Sequence, residues 1–116
     1  MNLLSVIDRR VRKHTKAATL AGRVCIGIKH RDRPPRWWLA TLDRRVQTEW
    51  PADLPDFDVA LGLDEDAASD ILRGQVPRPG SLCIKKGDSD LLERFLCHYF
   101  GDEDQLSWLE LRAGAG

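Results

Sequence analysis

Cys97 and His98 are adjacent, and a thiol beside an imidazole is a pair that nucleophilic catalysis uses. Consecutive residues on a helix do not face each other, so this pair is not expected to act as nucleophile and base. Cys25, Cys83 and Cys97 are scattered with no C-x-x-C spacing, which argues against a zinc site and a disulfide framework. His14 and His30 lie among basic residues, where a solvated ring is the expectation over a metal ligand. Asp64 and Asp66 could pair for acid/base work, but carboxylates at the start of an apolar helical stretch serve its N-terminus. Asp102-Glu103-Asp104 would hold a cation only weakly, because its spacing matches no calcium loop. The chain has no glycine-rich phosphate cradle. The expectation is a protein with no catalytic residues, no metal and no cofactor, and not an enzyme.

The elements that carry these residues follow from apolar periodicity. Residues 2–20 read as a helix, with Leu3, Leu4, Ile7 and Val11 on one stripe and Gly22 as a stop. Arg23–His30 alternates through Val24, Ile26 and Ile28, as a strand does. Arg31–Pro35 breaks the pattern with two prolines, and Arg36–Leu42 is a second strand. Asp43–Arg44 is short enough for a tight turn into a third strand, Arg45–Trp50. After the Pro51–Pro55 loop, Phe57–Leu63 places Phe57, Val59, Leu61 and Leu63 on one face. Asp64 is positioned to cap a helix whose buried side is Ala67, Ala68, Ile71 and Leu72 and which Gly74 stops. Gln75–Gly80 is a rigid linker. Ser81–Lys85 is a fifth strand with Leu82 and Ile84 inward, and Lys86–Gly87–Asp88 turns into a helix over Ser89–Phe100. Gln105–Arg112 is a short element of open type. The order α-β-β-β-β-α-β-α predicts an α+β fold: a single, mainly antiparallel five-stranded sheet with helices on one face.

At 116 residues the chain is one domain, residues 1–116, able to fold without disulfides or metal. Its apolar content of 42% argues against wholesale disorder. No apolar run approaches the roughly 18 residues of a membrane span, and the N-terminus lacks the pattern of a secretory leader, so the cytoplasm is expected. The zero net charge conceals a split. Residues 1–50 hold 12 basic against 4 acidic residues, and residues 51–116 hold 6 against 14. Either the two halves lie side by side and their fields partly cancel, or the N-terminal segment forms a basic face for an anionic partner.

The second half resembles the sterol carrier protein-2 family. The residues that carry the resemblance are Asp58-Val59-Ala60-Leu61-Gly62-Leu63, then Asp64-Glu65-Asp66-Ala67 running to Ile71-Leu72-Arg73-Gly74, then Gly80-Ser81-Leu82-Cys83-Ile84 and Gly87-Asp88. The N-terminal helix and three-strand meander are similar to the family in order. The resemblance implies a small domain with a hydrophobic tunnel between sheet and helices. Such a domain would bind a fatty acyl, isoprenoid or sterol-like lipid, as a carrier or as a module of a larger enzyme. Two departures bear on this. The linker Gln75–Gly80 is shorter than the family's tunnel-lining segment, so the guest is expected to be short or partly exposed, and Lys86 is an extra residue in the glycine turn.

On this reading Ile26, Ile28, Leu39, Val59, Leu61, Ile71, Leu72, Leu91, Leu92, Phe95 and Leu96 line the lipid site. The site would lie where Phe95 and Leu92 face the Phe57–Leu63 strand. Arg9, Arg10, Arg12, Lys13 and Lys16 are expected to meet an anionic membrane surface weakly and in a salt-dependent way. If Val24, Ile26 and Ile28 face the helices, the opposite face of the sheet holds Cys25, Gly27, Ala60, Gly62 and Cys83. Such small residues admit close approach by a second copy, by a partner enzyme or by the segment containing Trp108. Trp37 and Trp38 point to opposite sides of one strand, so one belongs to the core. Nucleic acid is not expected, because the acidic second half repels phosphates. The alternative to a lipid carrier is a small accessory or interaction protein on the same scaffold, an adaptor in a biosynthetic complex for example, without a working tunnel.

Overall fold

Leu3, Leu4, Ile7 and Val11 fall on one side of α1, Leu3–Lys13, and all four are buried. Asn2 caps this helix, its Oδ1 accepting the Ser5 N–H at 2.8 Å. In the computed structural model the described residues are 2–13, 20–43 and 45–100. The expected helical stretch from His14 to Thr19, Lys16 included, lies outside them, as do Arg44, the acidic run Asp102-Glu103-Asp104, and Gln105–Arg112 with Trp108.

The remaining elements are β1 (Gly22–Lys29), β2 (Arg36–Leu42), β3 (Val46–Glu49), β4 (Val59–Asp64), α2 (Glu65–Leu72), β5 (Cys83–Gly87) and α3 (Ser89–Phe100). They build one five-stranded sheet in the order β3-β2-β1-β4-β5. Three of its pairings are antiparallel, but β1 and β4 at the centre run parallel. The sheet is thus mixed. After the β1–β2–β3 meander the chain leaves one edge and returns on the far side of β1, and that crossing sets β4 parallel to it. Asp58 fastens the seam. Its N–H donates to the Arg23 carbonyl at 3.0 Å, and its Oδ2 accepts the Arg23 N–H at 2.8 Å.

The buried sides of α1, α2 and α3 form one apolar cluster with Val24, Ile26 and Ile28 of β1, Trp38, Ala40 and Leu42 of β2, and Val59, Leu61 and Leu63 of β4. Trp38 is the core member of the tryptophan pair. Its Nε1–H donates to Asp8 Oδ1 at 3.0 Å, tying α1 to the middle of the sheet. Phe95 lies among Trp38, Tyr99 and Phe100, with ring centroids 5.1–6.3 Å away.

Two expectations about strand faces are corrected. In β5, Cys83 pairs with Leu63 and Ile84 with Gly62, so Cys83 turns toward the helices and Ile84, 46% exposed, turns away. The register is set at both ends of the strand and outweighs the larger side chain's preference for burial. At one end Asp64 holds the Leu82 backbone. At the other, Gly87 has φ +97, and a Cβ there would collide with the Asp58 carbonyl. Phe57, read as part of the fourth strand, precedes β4 and is absent from the core cluster.

Candidate functional site

The last residue of β4 starts α2. Asp64 Oδ1 accepts the Ala67 N–H at 2.8 Å, as an N-cap should, and Asp64 Oδ2 accepts the Leu82 N–H at 2.7 Å. Glu65 and Asp66 then occupy the first turn, where the helix dipole favours negative charge. The loop leaving β1 comes down beside this turn. His30 Nδ1 lies 2.8 Å from Glu65 Oε1, the Arg31 N–H donates to the same oxygen at 3.4 Å, and Arg31 Nη2 donates to Asp66 Oδ2 at 3.3 Å. The hydrogen bond from His30 and then that from the Arg31 backbone hold the Glu65 carboxyl below its ordinary range, against the opposing effect of its desolvation.

The His30–Glu65 pair is a wall shared by two hollows. One, of about 260 Å³, is a groove between the start of α1 and the outer side of α2, lined by Asn2, Leu3, Ile28, His30, Arg33, Glu65, Ala68, Ser69 and Leu72. Its floor is apolar, from Leu3, Ile28, Ala68 and Leu72. The other, of about 320 Å³, is lined by Lys29, His30, Arg31, Asp64, Glu65, Asp66 and Leu82, whose side chains are charged or polar except for Leu82. A third hollow of about 500 Å³ lies on the basic side of α1 and is lined by Ser5, Asp8, Arg9, Arg12, Lys13 and Trp50.

The eleven residues read as lipid-lining fall into four groups. Ile26, Val59, Leu61, Ile71, Leu91, Leu92, Phe95 and Leu96 are packed together between sheet and helices. Ile28 belongs to that cluster and also reaches the apolar-floored groove. Leu39 does not belong to the space between the layers, which corrects its assignment. It alternates with Trp38 and Ala40, pairs with Cys25, and is buried on the other face of the sheet. Leu72 is also corrected, being 38% exposed and not on the buried side of α2, yet it lines the groove.

Cys25, Gly27, Ala60 and Gly62 do share the outer face, as their pairing register requires. Part of that face is already covered, since a Cβ on Gly27 would collide with the Trp37 ring. Of the basic residues on α1, Arg9, Arg12 and Lys13 are exposed. Arg10 is less exposed than these, and its guanidinium lies 5.4 Å over the Phe100 ring.

No protein-family model and no curated protein matches the sequence. Solved structures do. The crystal structure of sterol carrier protein 2-like 2 from Aedes aegypti superimposes with a TM-score of 0.63 at 16% identity, over 80% of this chain and 89% of that one. The fold is that of sterol carrier protein-2. The solution structure of a conserved hypothetical protein from Thermus thermophilus, described as a candidate sterol carrier protein, matches with a TM-score of 0.52 at 10% identity, over 99% of this chain and 82% of that one.

In this version of the sterol carrier protein-2 fold the short linker is pinned by a cluster that sequence reading missed. Asp70, 3% exposed on α2, accepts from Arg73 Nη2 at 2.7 Å and from the N–H, Nε and Nη2 of Arg78 at 2.9, 2.9 and 2.7 Å. The side-chain and backbone hydrogen bonds of Arg78, then that of Arg73, hold the Asp70 carboxyl well below its usual range. A signal was available: Asp70 interrupts an otherwise apolar helix side, and an aspartate in that place demands cations. Gly74, with φ +74, lets the chain reverse so that Arg78 can reach it. Two of the thiols are poorly suited to a nucleophilic role. Burial pushes Cys25 up to about 11 and raises Cys83, so neither carries thiolate near neutrality. Among the described residues no group of three or more His, Cys, Asp or Glu could hold a metal ion.

Proposed function

We propose that this chain is a non-enzymatic lipid-binding domain of the cytoplasm that holds a short apolar chain in the groove between α1 and α2. The observation that carries the reading is the apolar floor of Leu3, Ile28, Ala68 and Leu72 in a hollow of about 260 Å³ at the margin of the core. The solved structures of this fold named as sterol carriers support it. The volume lies near the lower end of the range for small-molecule sites, which favours a slim or partly exposed guest over a fused-ring one. Apolar burial would supply the affinity, about 0.8 kcal/mol per buried CH₂. The hollow lined by Arg9, Arg12, Lys13 and Trp50 supports a weak, salt-sensitive approach to an anionic membrane surface during loading.

Leu72→Trp tests the placement. Leu72 is exposed, so the larger ring can enter the groove without disturbing the core. The wild type is expected to carry lipid in native mass spectrometry or to take up a fluorescent alkyl probe, and the folded variant to lose most of that uptake. Unchanged uptake by the variant would place the guest elsewhere. One observation favours a second reading, an accessory subunit that binds a partner enzyme or another copy of itself. Ile84 is exposed on the outer sheet face beside Gly62, where a Cβ would meet only the Ile84 carbonyl oxygen at 3.8 Å. A protein that takes up no lipid but is dimeric, and becomes monomeric as Ile84→Lys, would support that reading.

A further inference from the structure

We propose that the acidic run Asp102-Glu103-Asp104 docks across the basic side of α1, on Lys13 and Arg9, and shields it from other anionic surfaces. The inference rests on the reading of that side as a meeting place for an anionic membrane, and adds a competitor carried by the chain itself. It starts where the described chain ends. α3 finishes at Phe100, and the Arg10 guanidinium lies 5.4 Å over the Phe100 ring, so the chain leaves α3 at the flank of α1. Gly101 and then the three carboxylates follow at once in sequence. The basic residues of α1 are laid out in the matching direction. At about 100° per residue, Lys13 stands about 60° from Arg10 round the helix, Arg9 about 100° and Arg12 about 160°, all in the same sense. They form an arc that begins beside Phe100 and ends at the hollow lined by Arg9, Arg12, Lys13 and Trp50.

Reach and charge agree. An arc of about 100° on a helix about 12 Å across is about 10 Å long. Residues 101–104, if extended, span up to about 13 Å. The acidic run can therefore reach both Lys13 and Arg9 from the end of α3. Arg9, Arg12 and Lys13 are exposed. Arg12 already has an acidic partner, Asp8 at 3.6 Å. Arg9 and Lys13 form no ion pair among the described residues, and they stand four apart on the helix, where like charges repel. Three adjacent carboxylates supply the counter-charge that this pair lacks. A tether this short gives the run an effective concentration on the order of millimolar beside the helix. Anionic head groups would need the same two cations, so the run and a membrane compete for them. The contacts are exposed, so the shielding is partial and salt-sensitive.

The test compares three versions of the 116-residue chain. They are the wild type, a tail variant carrying Asp102→Asn, Glu103→Gln and Asp104→Asn, and a control carrying Asp32→Asn, Asp56→Asn and Asp90→Asn. The control neutralises three exposed acids elsewhere, so both variants have the same net charge. Circular dichroism confirms that each is folded. Binding to phosphatidylserine vesicles is read by co-sedimentation. Carbodiimide coupling followed by mass spectrometry reads which carboxylates touch Lys13. At low salt the tail variant is expected to bind vesicles roughly tenfold tighter than the control, the size of a few exposed ion pairs, and high salt should remove the difference. In the wild type, Lys13 should couple to one of residues 102–104. Equal vesicle binding by the tail variant and the control would overturn the proposal while leaving the membrane reading intact. If none of the three binds vesicles, the membrane reading falls. Coupling of Lys13 to the run would then still uphold the contact, and its absence would overturn both.

Discussion

At the C-terminal end of α2, Asp70 is nearly excluded from water and collects four donors from Arg73 and Arg78. At the N-terminal end of the same helix, Glu65 has a side chain 44% exposed and meets one imidazole and one backbone N–H. Both are carboxylates on one eight-residue helix. One fastens the linker to the helix, and the other edges a groove. The difference teaches that the surroundings of a carboxylate, and not its place in a charged run, decide whether it is structural. Asp64 makes the point from within the acidic run. It stands beside Glu65 yet turns inward, joining the β4–α2 junction to the Leu82 backbone.

Replacing Asp70 with alanine should break the comparison most. It would leave two guanidinium groups and a backbone N–H without their acceptor, and the linker would lose its pin. The melting temperature is expected to fall further than for any other substitution at either end of α2. The pH dependence has a definite sign. Because the folded carboxyl titrates below its ordinary value of about 3.8, its stabilisation is fully present above that value and is lost as pH falls below it. Urea titrations of wild type and Asp70→Ala should therefore converge only at strongly acid pH. Asp64→Ala should come next, losing about 1–2 kcal/mol from the cap and exposing the Leu82 N–H, as read from urea midpoints. Gly74→Ala should lose about 1 kcal/mol, because an alanine is strained at that positive φ. Glu65→Gln should barely shift the melting temperature. Its contribution is present above the ordinary carboxyl value of about 4.5 and lost as pH falls through the lowered one, so the small difference should vanish in acid. A Glu65→Gln protein as unstable as Asp70→Ala would erase the contrast between the two ends.

Local signals were legible in the sequence. β2 and α3 begin and end where apolar periodicity places them, and Asp64 and Gly74 mark the start and stop of α2 by their side-chain chemistry. What depends on distant partners was not legible. The alternation of β5 fits either phase, and only the pairing of Cys83 with Leu63 decides between them. The parallel pairing of β1 with β4 leaves no trace in either strand's own pattern, since each alternates as an antiparallel strand would. Leu39 sits in so apolar a stretch that both of its faces looked like core. The groove was half visible. Ile28 and Leu72 were singled out as apolar lining, but His30 and Arg33 join them only because the loop after β1 folds down onto α2.

The central β1–β4 seam also bears on how the chain is made. Synthesis delivers the meander first, and β1 pairs with β2 as soon as both are available. Its other edge, with Val24, Cys25 and Ile26, then waits for Val59, Ala60 and Leu61 to emerge. Until then the strand that will be the centre of the sheet is an open edge, the kind of surface on which nascent chains stick to one another. The basic residues crowded into the first half, 12 of the 18 lysines and arginines, give those unfinished chains a strong like charge. The acidic second half, which later neutralises that charge, is the same stretch that brings β4 to close the edge.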